Sequence, residues 1–435
     1  MKYLIIGADA AGLSAANRIR SKTDGKITVM EKGRFISYAA CGMPYFIGNE
    51  IDNYEALLGR SVEYFKKKNI DILTETEAVK IDRLNKIVFC RGKTDKIAYD
   101  KLLIATGAEP FVPQISISSE KVFTLKTIDD SIKIKNFIKK NAPKKVTIIG
   151  AGAIGIEMAE QFNRIGLSVL MIERLPQILP IIDSDMAETI QNYLTEIGIR
   201  IKTGTSLQTI EESKNIKIVT DNGEFDTDFV LLSVGVKPCS NLAKLSGIKL
   251  GYKGAIAVDR SMKTSDDAIY AAGDCAETYH KLLGNRFIPL GTTANKQGRI
   301  AGLAMTGIDV KFAGVVGTAI LRCFDMGVAR SGIGVEQAAR ENIPVASVTI
   351  RSKSKAHYYP TTKKVTLRII FKSDGTVVGA EIIGGGVERI NPLAMAIAHS
   401  MKLDELYEQD FAYSPPYSPV WDPILVAAYE GMKKL

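Results

Sequence analysis

Two short glycine-rich stretches have the spacing that cradles a phosphate. Gly7 to Gly12 reads G-A-D-A-A-G, and Gly150 to Gly155 reads G-A-G-A-I-G. In such a loop the first glycine permits a tight turn out of a strand, the last lets the following helix approach that strand, and the unpaired N–H groups at the helix start face the anion. About twenty residues beyond each loop stands a carboxylate, Glu31 and Glu173, placed to accept hydrogen bonds from a ribose diol. One such loop has many accidental matches, but two of them, each with its acid, point to two dinucleotides on one chain. Asp9 stands where the first loop would ordinarily carry its second glycine. Glu173 favours NADH, because a carboxylate repels a 2′-phosphate, although the neighbouring Arg174 could bind one.

The elements that must position these groups repeat in order. A strand (Tyr3 to Ile6), the first loop, a helix (Leu13 to Ile19) and a second strand (Lys26 to Met30) ending at Glu31 are matched by Lys145 to Ile149, the second loop, Ile156 to Phe162 and Val169 to Ile172. Leu102 to Pro110, L-L-I-A-T-G-A-E-P, has a counterpart in L-L-S-V-G-V-K-P, Leu231 to Pro238. Ala268 to Ala276 reads as a strand delivering Asp274 at its carboxyl end, where a flavin's ribityl hydroxyls would lie. From about Gly317 the chain is expected to form strands Thr366 to Phe371 and Val377 to Ile383, a helix Pro392 to Lys402, and then the Pro-rich Tyr413 to Pro423. The fold class is α/β: two Rossmann-like dinucleotide-binding domains plus a C-terminal α+β domain.

Composition narrows the classes. A chain of 435 residues is too long for one ordinary core and suits about three domains. The net charge of +9 (57 basic against 48 acidic residues) comes from short lysine clusters such as Lys66 to Lys68, with no aromatic interleaving or nucleic-acid motif beside them, so no nucleic-acid partner is expected. The first strand begins at Tyr3 and no long apolar run follows, so neither a leader nor a membrane span is expected and the protein is read as cytoplasmic. Cys41, Cys90, Cys239, Cys275 and Cys323 are scattered, without C-x-x-C, and His280, His357 and His399 add no ligand spacing, so neither a disulfide framework nor a metal site is expected.

On these residues the chain resembles the pyridine nucleotide-disulfide oxidoreductases over essentially its whole length. The resemblance implies that Gly7, Gly12, Glu31 and Asp274 hold FAD, and that Gly150, Gly152, Gly155 and Glu173 hold NADH or NADPH. It extends the cofactor-binding set to Ala10, Ala11, Lys32, Ala105, Thr106, Gly107, Ile154, Glu157, Gly235, Gly273 and Thr292. It also implies a domain order of FAD binding (1–113), NAD(P)H binding (114–240), FAD binding again (241–320) and homodimerisation (321–435).

The segment Ser37 to Gly48, S-Y-A-A-C-G-M-P-Y-F-I-G, resembles the single-cysteine branch of that family: coenzyme A-disulfide, polysulfide and persulfide reductases, NADH oxidases and NADH peroxidases. Two-cysteine relatives carry C-x-x-x-x-C, but here the position five after Cys41 is Phe46. Where oxidases and peroxidases carry a histidine in the first loop, this chain has Ala10. It also has Ala40 before the cysteine and Ala153 in the second loop, where many coenzyme A-disulfide reductases have asparagine and an aromatic residue. Cys41 is expected ahead of a helix, which with a flavin nearby would favour the thiolate over a thiol of pKa ~8.5. The resemblance makes Tyr417 and Tyr359 of a partner subunit the companions of Cys41, and Ser14, Arg18, Arg20, Lys22, Ser37 and Lys67 a site for the phosphates of coenzyme A. Three functions stay open: reduction of coenzyme A disulfide or a polysulfide or persulfide, reduction of oxygen, and a flavin redox sensor. The chain ends at Leu435 with no module appended, which is the expectation against a sensor and against a fused rhodanese-like domain.

Overall fold

Lys2–Ile6 and Lys145–Ile149 are the central strands of two sheets, and in each strand every residue after the first is buried. Burial on both faces is what makes each read as an unbroken apolar run. The structure, a computed structural model, describes residues 1–212 and 215–435. Its packing forms two compact units.

The first unit comprises residues 1–112, 124–141 and 235–314. Its five-stranded sheet runs in the order Ile269–Ala271, Lys101–Ile104, Lys2–Ile6, Lys26–Met30, Ile70–Leu73, all parallel. Parallel neighbours need crossover connections, and the helix Ala10–Arg20 supplies the first of them. That helix packs against Gly291–Met305 at very short range. A Cβ on Gly298 would lie 2.1 Å from the carbonyl oxygen of Ala11, and one on Gly302 would lie 2.6 Å from that of Ala15. Only glycine fits either position, so the crossing fixes the helix that starts at the first loop.

The second unit comprises residues 113–123, 142–234 and 315–435. Here the sheet order is Val122–Thr124, Phe229–Leu232, Lys145–Ile149, Ser168–Ile172, Arg200–Lys202, with the middle strand parallel to both neighbours. The C-terminal part is a five-stranded antiparallel sheet in the order Ala319–Cys323, Met326–Gly332, Val377–Gly384, Lys364–Phe371, Ala346–Lys353. Helices Ile390–Ala398 and Pro423–Met432 pack on it through apolar faces. Among the described residues no helix is long and apolar enough to cross a membrane.

Four elements differ from their sequence-based bounds. The loop helices begin a turn early, at Ala10 and Ala153, because the loop residues after Asp9 and Gly152 already belong to the first turn. The strand before Asp274 is only Ile269–Ala271, since the chain turns at Gly273 with φ +82°. The helix expected over Pro392 to Lys402 ends at Ala398: Ser400 adopts φ +54°, and Lys402 caps the next short helix, Leu403–Tyr407.

Candidate active site

Each glycine loop is bolted at both ends. The N–H of Gly7 donates to Met30 O (2.7 Å) and that of Gly150 to Ile172 O (2.8 Å). Both glycines take a positive φ, +110° and +103°, closed to other residues without strain. A Cβ on Gly12 would lie 1.9 Å from Gly7 O, and one on Gly155 2.2 Å from Gly150 O, so helix and turn touch backbone to backbone. No side chain caps either following helix. The second and third N–H groups of both helices are thus left for an incoming anion, and a Cβ at Gly152 would meet open space. This arrangement fits a pyrophosphate at each loop.

The two acids sit alike. Glu31 Oε2 accepts from Ala8 N (2.9 Å) and Oε1 from Gly33 N (2.9 Å), while Glu173 Oε2 accepts from Ala151 N and Oε1 from Leu175 N (both 2.8 Å). Each carboxylate is oriented by backbone and keeps acceptor capacity for a ribose diol. In the second unit Ser233 Oγ donates to Gly150 O (2.9 Å), steadying the turn from the adjoining strand. Ile154 and Arg174 are exposed there, and Glu157 is half-buried one turn into the helix.

In the first unit the remaining cofactor residues gather around the same loop. Ala11 and Gly273 meet closely, since a Cβ on Gly273 would lie 3.0 Å from Ala11 Cβ. Ala105 N donates to Ile6 O (2.8 Å), Thr106 Oγ1 to Cys239 O (2.7 Å), and Cys239 N to Gly107 O (2.9 Å). These bonds join the A-T-G turn to the residues after Gly235, whose own carbonyl accepts from Phe111 N (2.9 Å). Thr292 lies exposed in the first turn of Gly291–Met305, and Lys32 is exposed beside Glu31. Burial holds the Asp274 carboxyl above the usual range, opposed by Lys126, whose Nζ stands 3.7 Å from Asp274 Oδ2.

Sequence reasoning missed Lys126, which no motif marks. It also missed Gln297, fully buried, whose side-chain oxygen accepts from Gly273 N (2.8 Å) and whose amide donates to Glu277 O and Thr278 Oγ1. A polar residue in the small-residue face of its helix was the available signal.

Cys41 lies in a single 3-10 turn, Ala40–Gly42, leading into the short helix Met43–Ile47. The turn is tied to the first loop by Ser37 N donating to Ala8 O (2.9 Å). It is also packed on Leu57, whose Cδ2 would be 2.4 Å from any Cβ at Gly42. Lys135 holds the helix from behind: its Nζ donates to Phe46 O (2.6 Å) and sits 4.0 Å from the Phe46 ring centroid. Of the five cysteines, all among the described residues, Cys41 is the exposed one. Burial pushes the thiols of Cys275 up to about 11 and Cys323 up to about 12, and raises those of Cys90 and Cys239.

The basic residues divide. Ser14 and Arg18 lie one turn apart and half-buried on the first helix, and Lys22 and Lys67 are exposed. Arg20 is occupied: its guanidinium donates to Thr23 O (2.9 Å), Gly25 O (2.9 Å) and Asn69 O (2.6 Å), bracing the turn between helix and second strand, so little of it faces outward. Ser37 takes φ +50°, and its hydroxyl accepts from Arg60 N (3.1 Å). In the second unit the segments carrying Tyr359 and Tyr417 adjoin, through Ala356 N donating to Pro415 O (3.3 Å) and a hydrogen bond between the Tyr358 and Tyr413 hydroxyls. Tyr417 is 79% exposed and Tyr359 half-buried.

The chain matches the family model described as pyridine nucleotide-disulphide oxidoreductase over residues 1–298, and that of the same family's dimerisation domain over residues 318–423. It is 38% identical to the NADH oxidase of Methanocaldococcus jannaschii, an alignment covering 100% of this chain and 99% of the relative. It is 34% identical to the NAD(P)H sulfur oxidoreductase (CoA-dependent) of Pyrococcus furiosus, covering 98% of each. The solved NAD-dependent persulfide reductase from A. fulgidus matches with a TM-score of 0.96 and 40% identity, over 100% of this chain and 83% of that one. The chain belongs to the pyridine nucleotide-disulphide oxidoreductase family.

Proposed function

We propose that this flavoprotein oxidoreductase takes electrons from NADH or NADPH and uses Cys41 to reduce a low-molecular-weight disulfide, coenzyme A disulfide foremost, or a polysulfide or persulfide. The observation that carries the reading is Cys41 itself: exposed, followed five residues on by Phe46 rather than a second cysteine, while burial suppresses the acidity of the other four thiols. Because Ser37 to Gly48 holds no second cysteine, the segment suits a mechanism in which the second sulfur comes from the substrate.

In this reading Gly7 to Gly12, Glu31, Lys126 and Asp274 hold FAD, and Gly150 to Gly155 with Glu173 hold the nicotinamide nucleotide. Bound FAD supplies a two-electron relay between nicotinamide and sulfur. Residues 1–113 and 241–320 would form the FAD domain, 114–240 the NAD(P)H domain, and 321–435 the interface of a cytoplasmic homodimer. The Cys41 thiolate attacks one sulfur of the disulfide, forming a mixed disulfide and releasing the other half as a thiolate. Two electrons then cleave the mixed disulfide and regenerate Cys41. Overall one NADH and one proton convert one disulfide into two thiols. Ser37 and Lys135 fix the turn and helix that carry Cys41, and Tyr417 and Tyr359 of the partner subunit donate a hydrogen bond to the departing thiolate.

Intact-mass measurement of the unreduced protein tests this reading: a coenzyme A adduct on Cys41 that dithiothreitol removes is expected, and coenzyme A disulfide should be used better than cystine or oxidised glutathione, less so at high salt. An unmodified Cys41 together with equal use of the three disulfides would count against it. Reduction of oxygen is the second reading, favoured by the similarity to a protein named NADH oxidase. The alanine at position 10 argues against it, because the first loop then offers no imidazole to protonate a reduced oxygen species.

A further inference from the structure

Asp9 occupies a position where charge works against the loop's purpose. It is the N-cap residue of Ala10–Arg20, and aspartate there ordinarily accepts a hydrogen bond from the second or third helical N–H. Here it makes no such bond; its carboxyl instead accepts from the backbone N–H groups of Tyr38 and Ala10, in a half-buried setting. The capping N–H groups stay open for phosphate, and a carboxyl lies in the loop that must receive it.

The groups facing Asp9 come from three elements. Glu31, at the end of the second strand, repels its charge; Lys126, before the helix Ile128–Asn141, attracts it; Tyr38, from the Cys41 loop, supplies the backbone donor. Beyond them Asp129 and Asp130 act on Tyr38. The other two carboxylates of the site are already provided for, Glu31 by two backbone N–H groups and Asp274 by Lys126. Asp9 has two backbone donors and Lys126 as well, but burial outweighs them and pushes it up to about 6 before any ligand arrives. A pyrophosphate brings further negative charge to the same loop, and like charges at such range favour protonation of the carboxyl that stands inside it.

We propose that Asp9 binds FAD as a neutral acid, so that the apoprotein takes up a proton when it takes up FAD and loses affinity as the pH rises. The inference rests on the FAD reading above. A protonated carboxyl also gains an O–H with which to donate to a phosphate oxygen. The sign follows from linkage: if the bound state holds the proton more tightly than the free state, affinity falls with pH between the two titration points, by up to about tenfold per pH unit. FAD's own groups do not titrate near neutrality, so the slope belongs to the protein.

The test is FAD binding to the deflavinated full-length protein, by fluorescence titration at several pH values from about 6 to 8 and by calorimetry in two buffers of different ionisation enthalpy, for wild type, Asp9→Asn and Asp9→Gly. Wild type is expected to take up about one proton per FAD near pH 7 and to weaken as pH rises; Asp9→Asn should bind with no proton uptake, a flat profile and tighter affinity at pH 8. Asp9→Gly, which restores the usual loop residue, should be equally flat if the asparagine variant does not fold. The same slope and proton uptake in the variants as in wild type, or a flat wild-type profile, overturns the proposal. No FAD binding by any of the three overturns the FAD reading instead.

Discussion

Glu31 and Glu173 hold the same station in two copies of one motif. Each carboxylate accepts from the N–H of the residue after its loop's first glycine, Ala8 at 2.9 Å and Ala151 at 2.8 Å, and from a second N–H two residues beyond itself. The strand after each loop therefore fixes the loop through a side chain as well as through the glycine's own N–H. A carboxylate held this firmly cannot swing away from a 2′-phosphate.

That rigidity predicts a nucleotide preference. NADH should reduce the flavin more efficiently than NADPH, by about 1–3 kcal/mol in transition-state terms. Exposed Arg174 limits the margin. Glu173→Gln should narrow it by weakening NADH and sparing NADPH. Stopped-flow flavin reduction checks this, and faster reduction by NADPH in wild type would reverse the assignment.

The partner-subunit tyrosines make a separable prediction. With Ala10 in the first loop, the departing thiolate needs another donor, and a tyrosine hydroxyl donates while uncharged. Tyr417→Phe should lower disulfide turnover, and Tyr359→Phe/Tyr417→Phe should lower it by about a hundredfold, within the usual range for a positioned proton donor. Flavin reduction by NADH should stay nearly unchanged in both. Wild-type turnover in the double variant, or full activity in a sedimenting monomer, would remove the idea.

Glu381 predicts a pH-dependent stability. It is buried with Asp183, and Arg368 pairs with Asp183 (3.1 Å), with Asp185, and with Glu381 (3.7 Å). Burial, then the charge of Asp183, pushes Glu381 up to about 7. Its folded form thus holds a proton that the unfolded chain releases near pH 4.5, and stability falls as pH rises across that window. Glu381→Gln keeps an acceptor for the Asp183 N–H (2.9 Å) and should flatten the decline in thermal midpoint between about pH 5 and 7.5. An unchanged slope in that variant would place the titration elsewhere.

The legible features were those that backbone geometry forces into the sequence. Gly7 and Gly150 must be glycine for their φ, Gly12 and Gly155 for their contact distance, and doubly buried strands must read as apolar runs, so both loops and both sheets were visible from residue types alone. Lys126, Gln297 and Lys135 were not visible, because their partners Asp274, Gly273 and Phe46 lie far off in sequence and no local spacing connects them. Arg20 was expected among the residues that meet coenzyme A phosphates; its three carbonyl partners emerge only once the chain has turned back at Gly25 and Asn69. The end of the helix at Ala398 was hidden because Met401 continues the apolar pattern after Ser400 has broken the backbone.

In the proposed function Cys41 carries the sulfur chemistry, and Cys41→Ser isolates that role. The variant should retain FAD and be reduced by NADH at close to the wild-type rate, yet lose disulfide turnover and the long-wavelength absorbance of a thiolate against flavin. Disulfide turnover at the wild-type rate in Cys41→Ser would contradict the account.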